Sequence, residues 1–223
     1  MTVPGEKPTK PGPPTIARTM SARFYDAGFN IFMLGRARAL RQMTVALAGV
    51  APGEMVLDAG CGTGELTMAA RRAAGATGQV LGIDSSPEMI AVARRKAARA
   101  GLAIDYRVAG VEALPFPDST FDVVVNSMMM HHLSDDLKRR AVAEMKRVLR
   151  PRGRLLIVDF RRSRGHMGHL PTRSHRHDHA DTLDLSGLLK VAGFSEVEVG
   201  DTNVGFLAFT RGRVWSATGS GGG

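Results

Sequence analysis

Apolar runs of strand length alternate along this chain with longer segments of helical period, and that alternation restricts the fold more than any other feature. A strand that is buried on both faces reads as an unbroken Val/Ile/Leu run, and a crossover helix must return the chain before a parallel neighbour can form. The strand runs are MVLDA (55–59), QVLGID (79–84), AIDYRV (103–108), FDVVVNS (121–127) and RLLIVDF (154–160). Helical periods fall at 64–74, 87–100, 135–149 and 182–192. Two further runs, EVEVGD (196–201) and VGFLAFT (204–210), lie too close together for a crossover and must pair antiparallel. The expected fold is α/β, with a doubly wound, mostly parallel seven-stranded sheet closed by a C-terminal antiparallel hairpin. Such sheets bind ligands at the carboxyl ends of their strands, where the strand order reverses.

The turn after the first strand lies at that edge. It reads VLDAGCGTGELT, with Gly60, Gly62 and Gly64 at alternate positions. Glycine admits positive φ and lets a ligand approach the backbone without a Cβ in the way, and the following helix opens with unpaired N–H groups. No GK[ST] follows, which argues against a nucleoside triphosphate, and the third glycine comes one residue early for a dinucleotide fingerprint. Asp84, at the tip of the second strand, can accept both hydroxyls of a ribose, or it can cap the next helix. Asp58, inside the first motif, needs a hydrogen-bonding partner if its strand is central, either loop N–H groups or a ligand's ammonium.

VLDAGCGTGELT, LGIDSSPEMI, VEALPFPDSTFDVVVNSMMMHHL and VLRPRGRLLIVDF, in that order, resemble the class I S-adenosylmethionine-dependent methyltransferases. The branch they are most similar to holds the ubiquinone and menaquinone biosynthesis C-methyltransferases. The resemblance covers about residues 20–160 and implies S-adenosyl-L-methionine as cofactor, with S-adenosyl-L-homocysteine as product. It places the methionine part of the cofactor on the loop from Asp58 through Gly60, Cys61 and Gly62 to Gly64. Asp84 takes the ribose hydroxyls, Ser85 and Met89 lie along the adenosine, Val111 and Glu112 border the adenine, and Asn126 and Ser127 line the cofactor after the fourth strand. One position departs from the pattern: Gly110 stands where the family commonly has the acid that accepts from the adenine amino group. The implied domain limits are a flexible tail over 1–15, a helical lid over 16–50, the methyltransferase domain over 51–214 and a second flexible tail over 215–223.

His131 and Tyr25 are the candidate catalytic residues. A histidine at the rim after the fourth strand suits a general base, because its ordinary pKa lies near 6.5; packing against the cofactor or capping the next helix is the competing role. The resemblance puts Tyr25 over the methyl-transfer site. Cys61 reads as a small loop residue rather than a nucleophile, and Met128 to Met130 read as packing. Five of the seven histidines lie in the segment 161–181, but without cysteine or a fixed helical spacing, so no metal is expected.

The net charge of +9 suits a polyanion, an anionic membrane surface or an acidic substrate, and an arginine-rich compositional habit explains it equally well. No helix-turn-helix, zinc-finger or aromatic RNA-binding signature accompanies it, so nucleic acid is not the expected partner. With a single cysteine and no long apolar window, the chain reads as cytoplasmic. The apolar and basic stretch 22–40 adds the expectation of peripheral contact with an anionic membrane. The expected partner is a small-molecule or lipid-like methyl acceptor, such as a quinone precursor or a phospholipid headgroup. The rival reading from another class is a noncatalytic cofactor-binding or membrane-adaptor protein, with an NAD-dependent oxidoreductase third.

Overall fold

The computed structural model describes residues 28, 33, 35–161 and 184–215. The helix α1 (Ala37–Ala48, capped by Gly49) buries Ala37, Leu40, Thr44 and Ala48, one stripe at helical spacing. Gly49 ends it in the left-handed region at φ 60°, where its N–H reaches the Ala46 carbonyl. Then follow β1 (Met55–Ala59), α2 (Glu65–Ala74), β2 (Gln79–Asp84), α3 (Pro87–Arg99), β3 (Asp105–Val108) and β4 (Phe121–Ser127). A 3-10 turn (Met130–His132) leads into α4 (Asp135–Val148), β5 (Leu149–Phe160), α5 (Leu185–Val191), β6 (Phe194–Asp201) and β7 (Leu207–Val214).

The seven strands lie in the order β3-β2-β1-β4-β5-β7-β6. Strands β1 to β5 are parallel, while β7 runs antiparallel to both β5 and β6, as the short connection between the last two runs requires. Order reverses between β1 and β4, so the loops leaving those strands form the expected crevice.

Alternate residues of each central strand feed opposite faces. On one face Val56, Val123, Val125, Leu156 and Val158 meet α1 and α2 through Leu40, Leu66 and Ala70. On the other, Leu57, Val124, Leu155 and Ile157 meet α4 and α5 through Val142, Met145 and Leu189. Burying each Leu or Ile side chain contributes about 1.5–3 kcal/mol, and doing so on both faces is why these strands carry no polar alternation. Arg154 ties the N-terminal helix to the sheet: its Nε donates to the Ala48 carbonyl at 2.6 Å, and its guanidinium pairs with Glu54.

Several limits differ from those read in the sequence. β5 starts at Leu149 rather than 154, because Pro151 and Gly153 form an irregularity inside the strand instead of a break before it; Phe121 pairs with Leu149 and Val123 with Arg154. β7 runs on to Val214, since Arg211 and Arg213 on its charged side bond to Glu198 and Glu196 across the hairpin. β3 is only four residues long, and α5 begins at Leu185 behind its cap Asp184. Tyr25, the histidine-rich segment and residues 16–27 of the expected lid lie outside the described residues.

Candidate functional site

The glycine turn is held mainly by the protein itself. Gly60, Gly62 and Gly64 adopt φ values of 84°, 53° and 80°, which only glycine takes without strain. Their amides are already used: Gly60 and Cys61 donate to the Ile83 carbonyl, Gly64 to the Cys61 carbonyl, and Gly62 to Asp84 Oδ2 at 2.9 Å. The sequence suggested open backbone at all three positions. Instead, a Cβ at Gly60 would meet the Met129 side chain at 2.7 Å, and one at Gly64 would meet Ala93 at 2.9 Å and collide with Tyr106. Only at Gly62 would a Cβ find nothing within 4 Å. Two glycines therefore let the protein close on itself, and the middle one is the face left for a ligand.

That face is unsuited to phosphate. Glu65 occupies the first turn of α2, where the helix dipole is positive, and it pairs with Lys96 at 2.7 Å and Arg41 at 3.7 Å. Around the crevice stand acceptors instead. Asp58 is buried, 1% exposed, and burial pushes its carboxyl up to about 7, with nearby Asp84 adding to the rise and the Thr67 hydroxyl, which donates at 2.6 Å, opposing it. The sequence offered loop N–H groups or a ligand as its partner; the partner within the protein is Thr67. Asn126, fully buried at the end of β4, donates its Nδ2 to the Ala59 carbonyl, and its Oδ1 has no partner among the described residues. A buried acceptor without a donor, beside an ionisable buried acid, fits the ammonium of a ligand.

Asp84 fills both roles considered for it at once. Its Oδ1 accepts from Ser86 N and its Oδ2 from Gly62 N, each at 2.9 Å, leaving one lone pair per oxygen for a diol. Burial raises its pKa. Ser86 caps α3 by accepting from Met89 N, which buries the Met89 side chain and leaves Ser85 exposed at the rim. Cys61 is buried against Tyr106, and burial drives its thiol pKa far up, so it stays protonated; its place is structural. Val111 is buried in the core beside Leu114, and Glu112 is half-buried. Ser127, half-buried, pairs with Val158 at the strand end.

Beyond β4 the backbone turns through Met128, a non-glycine residue at φ 56°, a conformation that side chains take at a cost of about 1–3 kcal/mol. The turn seats Met129 against Gly60 and presents His131. His131 Nδ1 lies 2.7 Å from Asp159 Oδ1, and its backbone N–H donates to Oδ2 at 3.1 Å. Asp159 is 4% exposed, at the carboxyl end of β5, and its Oδ1 also accepts from Phe160 N. As a carboxylate it can only accept, so Nδ1 carries the hydrogen, and in the neutral ring Nε2 is the acceptor. The imidazole edge also packs on Phe160 at 4.7 Å between centroids, and His132 lies against it at 3.9 Å. Burial lowers the His132 pKa, with His131 adding to the fall. Asp159, Thr67 and Met129 were not legible as site residues; an acid closing the apolar run of β5 was the one available signal.

A model of the family described as "Methyltransferase domain" matches residues 56–153. The chain is 32% identical over 215 residues to the ubiquinone/menaquinone biosynthesis C-methyltransferase UbiE of Klebsiella pneumoniae, covering 84% of this chain and 85% of that one. It is 33% identical to the protein of the same name from Saccharophagus degradans, covering 84% and 86%. Its fold is similar to that of a SAM-dependent methyltransferase from Aquifex aeolicus, with a TM-score of 0.63 and 24% identity over 80% of this chain and 92% of that one. No described helix is long and apolar enough to cross a membrane.

Proposed function

This chain belongs to the ubiquinone/menaquinone biosynthesis C-methyltransferase family of class I S-adenosylmethionine-dependent methyltransferases, and from that premise we propose that it methylates a ring carbon of a hydroxylated aromatic acceptor of the quinone-precursor class. S-adenosyl-L-methionine is the cofactor, and when bound it supplies an electrophilic methyl group. Family membership sets aside the noncatalytic and NAD-dependent readings. The chain's own residues would hold the cofactor along one line: Asn126, Asp58 and Gly62 at the amino-acid end, then Asp84 at the ribose.

The observation that carries the acceptor class is the His131–Asp159 pair, at 2.7 Å. A hydroxylated ring becomes nucleophilic at the ortho carbon once its O–H proton leaves, and Nε2 of an imidazole fixed in one tautomer is suited to take it. After the ring carbon takes the methyl, its C–H proton moves to the ring oxygen, which restores the aromatic ring and the hydroxyl, and His131 gives its proton to solvent. An amine or phospholipid headgroup would need no such activation of carbon. A lipid-linked form of the acceptor would be met at an anionic bilayer, and the net charge of +9 supports that location.

Incubation with methyl-labelled S-adenosylmethionine and a short-chain hydroquinone tests the reading. The expected product gains one methyl on a ring carbon. An O-methyl ether as the sole product would refute carbon as the acceptor atom, and no transfer to any hydroxylated ring would refute the class.

A further inference from the structure

Gly110 follows the end of β3, and no feature of its backbone calls for glycine. Its φ lies outside the left-handed region, so any residue could adopt the conformation. What excludes a side chain is Glu112: a Cβ at 110 would lie 2.5 Å and 2.6 Å from the two Glu112 carboxylate oxygens. The carboxylate of 112 is folded back over the Cα of 110, into the space that an acidic side chain at 110 would take. No described residue donates a hydrogen bond to it or pairs with it. A half-buried carboxylate brought to a defined point without a partner is positioned for a donor from outside the protein.

The place of that point within the site identifies the donor. Ala109 N bonds to the Asp84 carbonyl at 3.0 Å, and Gly62 N to the Asp84 carboxylate at 2.9 Å, so the three loops stand side by side along the carboxyl edge of the sheet. If the amino-acid end of the cofactor lies at the β1 and β4 loops and its ribose at Asp84, the base extends toward the loop after β3. The outward donor of an adenine is its exocyclic amino group. We infer that Glu112 accepts from the adenine amino group of the cofactor, and that Gly110 is the vacancy that lets it do so. The inference rests on the cofactor line described under Proposed function.

Calorimetry with S-adenosylhomocysteine and its deaminated analogue S-inosylhomocysteine, which bears a carbonyl in place of the amino group, tests it without turnover. Wild type should prefer the amino form by about 10- to 100-fold, the scale of a hydrogen bond to a charged group. Glu112→Ala should lose most of that preference. Gly110→Ala should lose it as well, because its methyl displaces the carboxylate while offering no acceptor. Gly110→Asp in the Glu112→Ala background should restore it. Equal preference in wild type and in both single variants, with native melting, would overturn the role of Glu112 while leaving the cofactor line intact. Failure of wild type to bind S-adenosylhomocysteine would overturn the cofactor line and this inference with it.

Discussion

The imidazole of His131 and the carboxylate of Asp159 meet at 2.7 Å although 28 positions separate them in the chain. The contact exists because β4 and β5 are parallel neighbours in register, Ser127 opposite Val158, so the turn after one strand faces the last acid of the other. Asp159 also accepts from the backbone of His131 and of Phe160, which fixes the carboxylate before any substrate arrives. Under the proposed chemistry Asp159 positions His131, the candidate base.

Asp159→Asn should leave cofactor affinity near wild type and lower kcat by about 10²-fold, within the range that a positioned base contributes. The amide can donate to Nδ1 and so favour the tautomer with hydrogen on Nε2. Steady-state kinetics separating kcat from KM, with calorimetry for the cofactor, checks this. A purely structural Asp159 would instead lower stability and both parameters together. His131→Ala should remove the acidic limb of the kcat profile; an unchanged limb would discard the base assignment.

Much of the fold was legible because it rests on local signals. The two-sided burial of Val56 and Leu57, or Leu155 and Leu156, is written as uninterrupted apolar runs, and Ser86–Pro87 announces α3. The acceptor at Asp84 was legible for the same reason, as a single acid closing a strand. Long-range relations were not. Nothing local says that Gly60 is packed against Met129, that Thr67 serves Asp58, or that Asp159 lies beside His131; each depends on register between elements. Gly110 in place of the family's acid was visible, but not the way the Glu112 side chain folds back over it.

The unequal surroundings of the three glycines predict unequal variants. Gly64→Ala would place a methyl 2.9 Å from Ala93 and against Tyr106 at φ 80°, so it should cost about 2–5 kcal/mol of stability through strain and overpacking. Gly62→Ala meets no atom within 4 Å at φ 53° and should cost about 1–2 kcal/mol. Its larger effect should be on cofactor binding, because its methyl enters the open face. Denaturant unfolding and calorimetry on both variants separate the two; a stable Gly64→Ala protein would contradict the packing described here.

Asp84→Ala removes an acceptor from Gly62 N and Ser86 N together, so it should loosen the glycine turn as well as the ribose contact. Cofactor binding should fall by about 1–3 kcal/mol, the scale for hydrogen bonds to a charged group. Amide exchange at Gly62 should rise even without cofactor. Exchange unchanged from wild type would show that the Ile83 and Cys61 carbonyls hold the turn without Asp84.

The buried Asp58 makes both folding and binding depend on pH. Its pKa stands at about 7 in the folded chain against an ordinary value of 3.8, chiefly through burial. Below the lower value the folded and unfolded chains both hold the proton; between the two values only the folded chain does. Its contribution to stability is therefore full below the lower value, declines as pH rises from about 4 to about 7, and is flat above. Asp58→Asn, which can still accept from Thr67, should remove that decline, so the variant gains on wild type across the same interval. A cationic ligand reverses the preference, because it favours the ionised carboxylate. Cofactor binding below about pH 7 should thus release a proton, and affinity should rise with pH until Asp58 is ionised in the free protein. Calorimetry in two buffers of different ionisation enthalpy counts that proton. Identical heats in both buffers at pH 6, with the pH dependence of binding unaltered in Asp58→Asn, would show that Asp58 does not respond to the bound cation.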